Sequence, residues 1–211
     1  MSGKPLSSIQ KDALKEIGNI GAGNATTSLS ALVDKKIQME VPSVKVVSFD
    51  EMMDVIGGSD QTVVGLYFRI TGDTPGAVYF ILTIKEAQAL LAKILPDTHV
   101  DLLHEGTPNE YALSALKEVG NIVTGSYLSA LSDFMSLNMS YSIPYLSVDM
   151  VGAIITVGLL EICEKTDNAI IINTNIGDEE DHHIHGQFIL LPDPEAFYTI
   201  FSSLGIQTNE A

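Results

Sequence analysis

The residues in this chain that are best suited to chemistry are a carboxylate and a carboxamide that lie three positions apart, and the pair occurs twice. Glu16 precedes Asn19, and Glu118 precedes Asn121. Positions three apart share one face of a helix, so each Glu is expected beside its Asn. An amide offers donors and an acceptor, and can hold and orient a water molecule. Neither Glu nor Asn alone is expected to act as the nucleophile, and no nearby His or Cys could activate a serine, so self-contained hydrolysis is not expected. A water held by the amide is useful only if another molecule supplies the phosphoryl group and the metal.

The two pairs belong to an internal duplication. A proline follows each Asn by 23 positions, as Pro42 and as Pro144. At the same offset of 102 positions, residues 13–20 match residues 115–122 at every position but one. Self-similarity at a fixed offset indicates repeated structural units. Because a hydrophobic core does not need Glu and Asn in register, the duplication preserves either a packing surface or a pair of sites.

Each copy begins with a long helix in our interpretation. Ser7 and Gln10 form a capping-box pattern, and apolar residues at helical spacing predict a helix over residues 8–33. In the second copy Thr107, Pro108 and Glu110 are interpreted as cap, first-turn and third positions of the matching helix. After each helix comes a β-rich stretch that the proline interrupts, residues 37–49 in the first copy and residues 137–148 in the second. The predicted strands that follow are residues 62–70, 77–84, 169–175 and 186–191, and the predicted closing helices are residues 85–95 and 193–204.

This order predicts an α+β fold: a pseudo-twofold duplicated unit with an antiparallel β-sheet packed against the two long repeat-related helices. We expect residues 1–211 to form a single domain built of two repeats, about 7–96 and 107–205, joined by an acidic linker over residues 96–108. The apolar stripe of Met52, Met53 and Ile56 predicts a further short helix that faces the core.

Composition narrows the functional classes. The net charge of −16 would repel a phosphate backbone, so nucleic acid and anionic membranes are poor partner candidates. The longest apolar run, residues 151–160, is about half of a membrane span, so no membrane insertion is expected. The lone Cys163 cannot form an internal disulfide, and no signal-peptide pattern is present at the start. We therefore expect a cytoplasmic protein.

Two further features have competing interpretations. Gly18, Gly21, Gly23, Gly120 and Gly125 each cost a helix interior about 0.8–1 kcal/mol relative to alanine, so either close internal packing or close approach of a partner requires them. The histidines at positions 182, 183 and 185 are interpreted as part of a solvated acidic loop, and no metal site is predicted.

The complete pattern resembles a known signature. Asp12, Glu16, Asn19 and Pro42 in the first copy, and Ser114, Glu118, Asn121 and Pro144 in the second, are similar to the motif of the CheC/CheX/FliY family of bacterial chemotaxis phosphatases. The resemblance spans nearly the whole chain, without the N-terminal peptide or the flagellar-switch domain of FliY-type members. A member of the CheC branch is therefore expected.

The resemblance implies dephosphorylation of the response regulator CheY. Asn19 and Asn121 would align a water molecule with the aspartyl phosphate, and Glu16 and Glu118 would pair with the receiver's active-site lysine. The chain would have no cofactor of its own, because the receiver domain would supply Mg²⁺. The family also implies a second partner, the receptor deamidase CheD, for which Asp149 is a candidate contact; Asp149 has the alternative interpretation of a helix N-cap.

Two other functions stay open at this point. One is a non-catalytic adaptor that binds CheY-phosphate, CheD or both, and the other is a duplicated interaction domain of a motor assembly. An intact Asn in both copies favours catalysis, because contact alone would tolerate many polar residues.

Overall fold

The fold is taken from a computed structural model, which describes residues 7–95, 100–104, 106–162, 168–177 and 184–203. The helices are α1 (Ser8–Val33), α2 (Phe49–Ile56), α3 (Ile84–Ile94), α4 (Glu110–Met135), α5 (Val151–Ile162) and α6 (Pro194–Ser203). The strands are β1 (Gln38–Ser48), β2 (Thr62–Gly72), β3 (Gly76–Thr83), β4 (Leu103–His104), β5 (Thr107–Pro108), β6 (Met139–Tyr141), β7 (Tyr145–Met150), β8 (Asn168–Gly177) and β9 (Ile184–Pro192). The predicted combination of helices with an antiparallel sheet is confirmed.

The sheet is shared between the two repeats. Its order is β1, β8, β9, β3, β2 and then β6, with β7 also paired to β2, and every pairing is antiparallel. The first strand of each repeat therefore pairs with a strand of the other repeat. A pseudo-twofold axis between β3 and β9 relates the two halves. Each repeat contributes an edge strand that pairs with a strand of the other repeat, so the two halves are held together by main-chain hydrogen bonds in one sheet.

Alternating side chains of the strands enter two separate cores, one on each face of the sheet. Phe68, Phe80 and Phe188 point to the face that α1, α3, α4 and α6 cover. Tyr79 and Ile171 point to the opposite face, which α2 and α5 cover. The result is a three-layer arrangement, in which α1, α3, α4 and α6 lie on one side of the sheet and α2 and α5 on the other.

The long helices are defined by caps that the sequence supplies. At the start of α1 the Ser7 hydroxyl accepts from the Gln10 N–H, and the Gln10 side chain accepts from the Ser7 N–H. The predicted span of α1 is confirmed. The predicted cap of α4 is wrong: Asn109 is the N-cap, and its carboxamide oxygen accepts from the Tyr111 and Ala112 N–H groups. Thr107 instead pairs with His104 in a short hairpin, because the free Asn109 carboxamide is the stronger cap.

The edge strands of the two repeats differ. β1 is one strand with a bulge, because Val41 and Pro42 lie between the paired residues Glu40 and Ser43. The interruption predicted at the proline of residues 137–148 is confirmed, since residues 142–144, which include Pro144, separate β6 from β7. The Ser142 N–H and hydroxyl bond to the backbone of Arg69 at this break.

Three smaller predictions have clear outcomes. The predicted short helix is confirmed as α2, with Met52 fully buried. The strand predicted over residues 77–84 ends one residue early, because the Thr83 hydroxyl caps α3. The connecting segment is more than a linker, since Leu102 is buried and its N–H donates to the Gln88 side chain.

In the part of the chain that the structure describes, no helix has the length and apolarity to cross a bilayer.

Candidate active site

The first Glu/Asn pair lies on the outer face of α1. Leu14 and Ile17 are each 1% exposed and fix the inner face of the helix against the sheet. Glu16 is exposed and Asn19 is partly buried at the helix surface. The three-residue spacing therefore places the carboxylate and the carboxamide together on a face that a second protein can reach.

The bulge in β1 explains why a proline follows Asn19 at a fixed distance. Two residues of β1, Val41 and Pro42, stand opposite the single residue Thr174 of β8. Pro42 has no N–H group, and the Val41 N–H donates to the Asn19 Oδ1 at 3.1 Å instead of entering the sheet ladder. Sequence reasoning missed Val41, although the proline that follows it was the available signal.

The second pair has the same placement on α4 but different surroundings. Glu118 is exposed and Asn121 is partly buried. The repeat equivalent of Val41 is Ile143, which lies in the break between β6 and β7 and is 89% exposed, whereas Val41 is 2% exposed. Within the described residues, the Asn121 side chain has no hydrogen bond comparable to that of Asn19. The two predicted sites therefore have the same position on their helices, but among the described residues only Asn19 is held by a backbone hydrogen bond.

Most of the helix glycines are explained by packing within the chain. A Cβ on Gly21 would lie 2.7 Å from the Tyr127 ring, and a Cβ on Gly120 would lie 2.4 Å from the Leu66 side chain. The first contact brings α1 and α4 together, and the second brings α4 onto the sheet. Gly23 is different, because a Cβ there would meet no atom within 4 Å. Close packing thus accounts for Gly21 and Gly120 and leaves Gly23 for another explanation.

Asp149 lies away from both pairs. It is the penultimate residue of β7, opposite Val63, and that register directs its side chain to the face of the sheet that carries α2 and α5. Its Oδ1 accepts from the adjacent Met150 N–H at 2.7 Å. The N-cap interpretation is wrong, because the first amides of α5, those of Val151 and Gly152, donate to loop carbonyl oxygens.

The histidine-rich loop lies mostly outside the described residues. Of its three histidines, the structure describes only His185, whose Nδ1 is 2.8 Å from the Asn175 Oδ1 and whose N–H donates to the Glu86 carboxylate. Among the described residues, no group of three or more His, Cys, Asp or Glu side chains is arranged for a metal ion. His182 and His183 belong to the undescribed segment, so the metal-free interpretation of the loop stays a prediction.

A buried hydrogen bond connects α4 with the sheet behind the sites. The Tyr127 hydroxyl is 2.9 Å from the Thr174 hydroxyl, and the ring packs against Phe188. Burial raises the pKa of Tyr127 to about 12, because a phenolate there would lose its hydration, although the bond to Thr174 acts in the opposite direction. This contact holds α4 against β8, the strand that pairs with the β1 bulge.

The fold and the sites define a class: a duplicated α/β/α protein that presents one Glu/Asn pair on each of two repeat-related helices. A family model described as CheC-like family matches residues 9–46 and 112–145, the segments that contain both pairs and both prolines. The chain is 38% identical over 199 residues to the CheY-P phosphatase CheC of Bacillus subtilis, covering 93% of this chain and 94% of that protein. The chain belongs to the CheC-like family.

Solved structures share the fold. FliY of Thermotoga maritima superimposes with a TM-score of 0.73 at 19% identity, covering 95% of this chain and 98% of that one. The chemotaxis protein CheX of Desulfovibrio desulfuricans superimposes with a TM-score of 0.55 at 18% identity, covering 84% and 99%. The α+β fold predicted from the order of helices and strands is therefore confirmed.

Proposed function

We propose that this chain is a phosphatase that hydrolyses the aspartyl phosphate of the chemotaxis response regulator CheY. The observation that carries the proposal is the Glu/Asn pair, present twice on surface faces of α1 and α4 in a member of the CheC-like family. The relative of 38% identity is named as a CheY-P phosphatase. We also propose that the reaction takes place in the cytoplasm.

The amides of Asn19 and Asn121 act by positioning. Each side chain enters the acidic pocket of the receiver and holds one water molecule in line with the phosphorus atom, using an amide N–H as donor and the carbonyl oxygen as acceptor. No covalent intermediate on this chain is needed. Restricting a water molecule to the attack geometry accelerates hydrolysis because the entropy of orientation is lost on binding and not in the transition state.

Glu16 and Glu118 supply recognition. Each carboxylate lies one helical turn before its amide and is exposed, so it can form an ion pair with the conserved lysine of the receiver. The pair fixes the distance between the receiver's pocket and the amide. The Mg²⁺ ion that neutralises the phosphoryl oxygens arrives with the receiver as part of the substrate.

The decay of phosphorylated CheY tests the proposal. Substoichiometric amounts of the chain should accelerate loss of the phosphoryl group with multiple turnovers. A non-catalytic adaptor would bind CheY-phosphate and leave its lifetime unchanged or longer. Binding to a stable phosphoryl mimic of CheY, measured in parallel, separates failure to bind from failure to catalyse.

A second partner is supported by the opposite face of the molecule. α5 has 12 residues and its repeat equivalent α2 has 8, and the longer helix exposes Val157 and Leu160 at 50% and 73%. Asp149 lies on the same face of the sheet as α5. We propose that CheD binds there, at Asp149 and α5. Because α5 and the two Glu/Asn helices cover opposite faces of the sheet, CheD and the receiver could be bound at the same time.

A further inference from the structure

The edge strand β1 contacts the α1 site directly, through the hydrogen bond from the Val41 N–H to Asn19. Val41 and Pro42 form the bulge of β1 and lie outside its paired register with β8. The Val41 N–H donates to the Asn19 Oδ1 at 3.1 Å. A Cβ added to Gly18 would lie 3.3 Å from both Val41 methyl carbons, so the glycine leaves room for the Val41 side chain. Gly18, Val41 and Pro42 therefore act together on the residue that orients the water.

This bond fixes the orientation of the amide. Rotation of the Asn19 amide about its terminal bond would break this hydrogen bond and turn the Nδ2 hydrogens toward the Val41 N–H, so the observed orientation is favoured. Its two Nδ2 hydrogens and the second lone pair of the oxygen remain available to a bound water. A side chain held in this way loses little conformational freedom when the receiver binds.

The second copy lacks this device. Ile143 stands at the position of Val41, but it lies in the break between β6 and β7 and is 89% exposed. The neighbouring Ser142 is held by Arg69 and donates its hydroxyl to the Ile143 carbonyl oxygen. Among the residues that the structure describes, neither the Ile143 N–H nor the Asn121 side chain makes a hydrogen bond. The Asn19 side chain is therefore oriented within the chain, whereas the Asn121 side chain would be oriented only when the receiver binds.

We infer that the Val41 backbone N–H is a positioning group for Asn19, and that the α1 site is organised before the receiver binds whereas the α4 site is not. This inference rests on the proposed function. Hydrogen-bond partners that orient functional side chains account for factors of about 10 to 100 in activity or affinity at metal sites. We therefore expect a chain with only the α1 site to have a kcat about tenfold above that of a chain with only the α4 site.

Two variants separate the N–H group from the side chain. In an Asn121→Ala background, Val41→Pro removes the donor and Val41→Ala keeps it, while both lose part of the valine side chain. We expect Val41→Ala to keep kcat within about threefold, and Val41→Pro to lower kcat about tenfold with KM for CheY-phosphate changed much less. Equal kcat values for folded Val41→Pro and Val41→Ala chains would overturn the inference.

Hydrogen exchange provides a test that does not depend on phosphatase activity or on a folded proline variant. In the wild-type chain the Val41 amide should be protected from exchange although it lies outside the sheet ladder, and Asn19→Ala should remove that protection. The Ile143 amide should exchange rapidly and be unaffected by Asn121→Ala. Fast exchange at Val41 in the wild type would overturn the positioning role. A protected Val41 in a chain that does not accelerate CheY-phosphate decay would refute the proposed phosphatase function and leave the hydrogen bond itself intact.

Discussion

Two glycines of α1, only two positions apart, should respond in opposite directions to the same substitution. Gly23 lies in the interior of the helix, is exposed, and has no atom within 4 Å of an added Cβ. Gly23→Ala should therefore raise the free energy of unfolding by about 0.8–1 kcal/mol, the helix-propensity difference between the two residues. For a chain of this size the gain corresponds to an increase in Tm of about 2–4 °C.

Gly21→Ala meets a different environment. Its Cβ would lie 2.7 Å from the Tyr127 Cδ1 and 2.9 Å from the Tyr127 Cα, and the second atom belongs to the backbone of α4. Overpacking of this kind costs about 1–3 kcal/mol, and the propensity gain offsets about 1 kcal/mol of it. Because a main-chain atom cannot move aside by rotamer change, we expect a net loss of about 1–2 kcal/mol.

Equilibrium unfolding in guanidinium chloride measures both values. Ser28→Ala is the matched control, since Ser28 is exposed on α1 on a different side of the helix from Gly23 and the change also raises helix propensity. A Gly21→Ala chain as stable as Gly23→Ala would refute the close packing of α1 on α4.

Activity tests the remaining explanation of Gly23. This glycine lies one turn beyond Asn19 on the same helix face, so a methyl group there would obstruct a closely approaching receiver. In an Asn121→Ala background, Gly23→Ala should raise the KM for CheY-phosphate although the chain is more stable. An unchanged KM would show that Gly23 is not needed for clearance.

Three further predictions concern the rest of the molecule. Asp149→Lys should abolish CheD binding and leave basal phosphatase activity and stability close to wild type, since Asp149 caps no helix; retained CheD affinity in calorimetry would contradict the assignment. Because burial raises the folded-state pKa of Tyr127 to about 12 from 10.0, its contribution to stability should be fully present below pH 10 and fall as the pH rises toward 12. Tyr127→Phe should remove this alkaline loss, and it should cost about 1–3 kcal/mol at neutral pH because Thr174 is left unpaired. An unchanged pH profile of stability in Tyr127→Phe would refute this prediction. Elemental analysis should find no stoichiometric Zn²⁺ or Mg²⁺ in the purified chain, and a tight metal lost on replacing the histidines within residues 182–185 would contradict the interpretation of that loop.

The parts of the fold that local chemistry determines could be predicted. α1 was predicted with its observed bounds because the Ser7 capping box and the apolar periodicity act within a few residues. The start of α4 was misplaced because Pro108 fits a first helical turn as well as a strand, and only the competing Asn109 cap decides between them. The exchange of edge strands between the repeats has no local signal, since it depends on pairing between distant segments.

The candidate site shows the same division. The Glu/Asn spacing predicted that each pair shares one exposed helix face, and the structure places them so. The bond between Val41 and Asn19 was not predicted, because it joins a helix to a bulge 22 positions later. The difference between the repeats could not be predicted either, because Pro42 and Pro144 occupy equivalent positions in the sequence, yet Pro42 lies in a bulge and Pro144 lies in the break between β6 and β7.

If the two asparagine amides catalyse hydrolysis of CheY-phosphate, the effect is seen most directly in the decay of phosphorylated CheY at saturating concentrations of each variant. Asn19→Ala and Asn121→Ala should each retain the activity of the other site. The double variant, shown to be folded by circular dichroism, should lose the acceleration by a factor of about 100 or more. Glu16→Ala and Glu118→Ala should chiefly weaken binding of the phosphorylated receiver. A folded double variant that accelerates decay as well as the wild type would contradict the account.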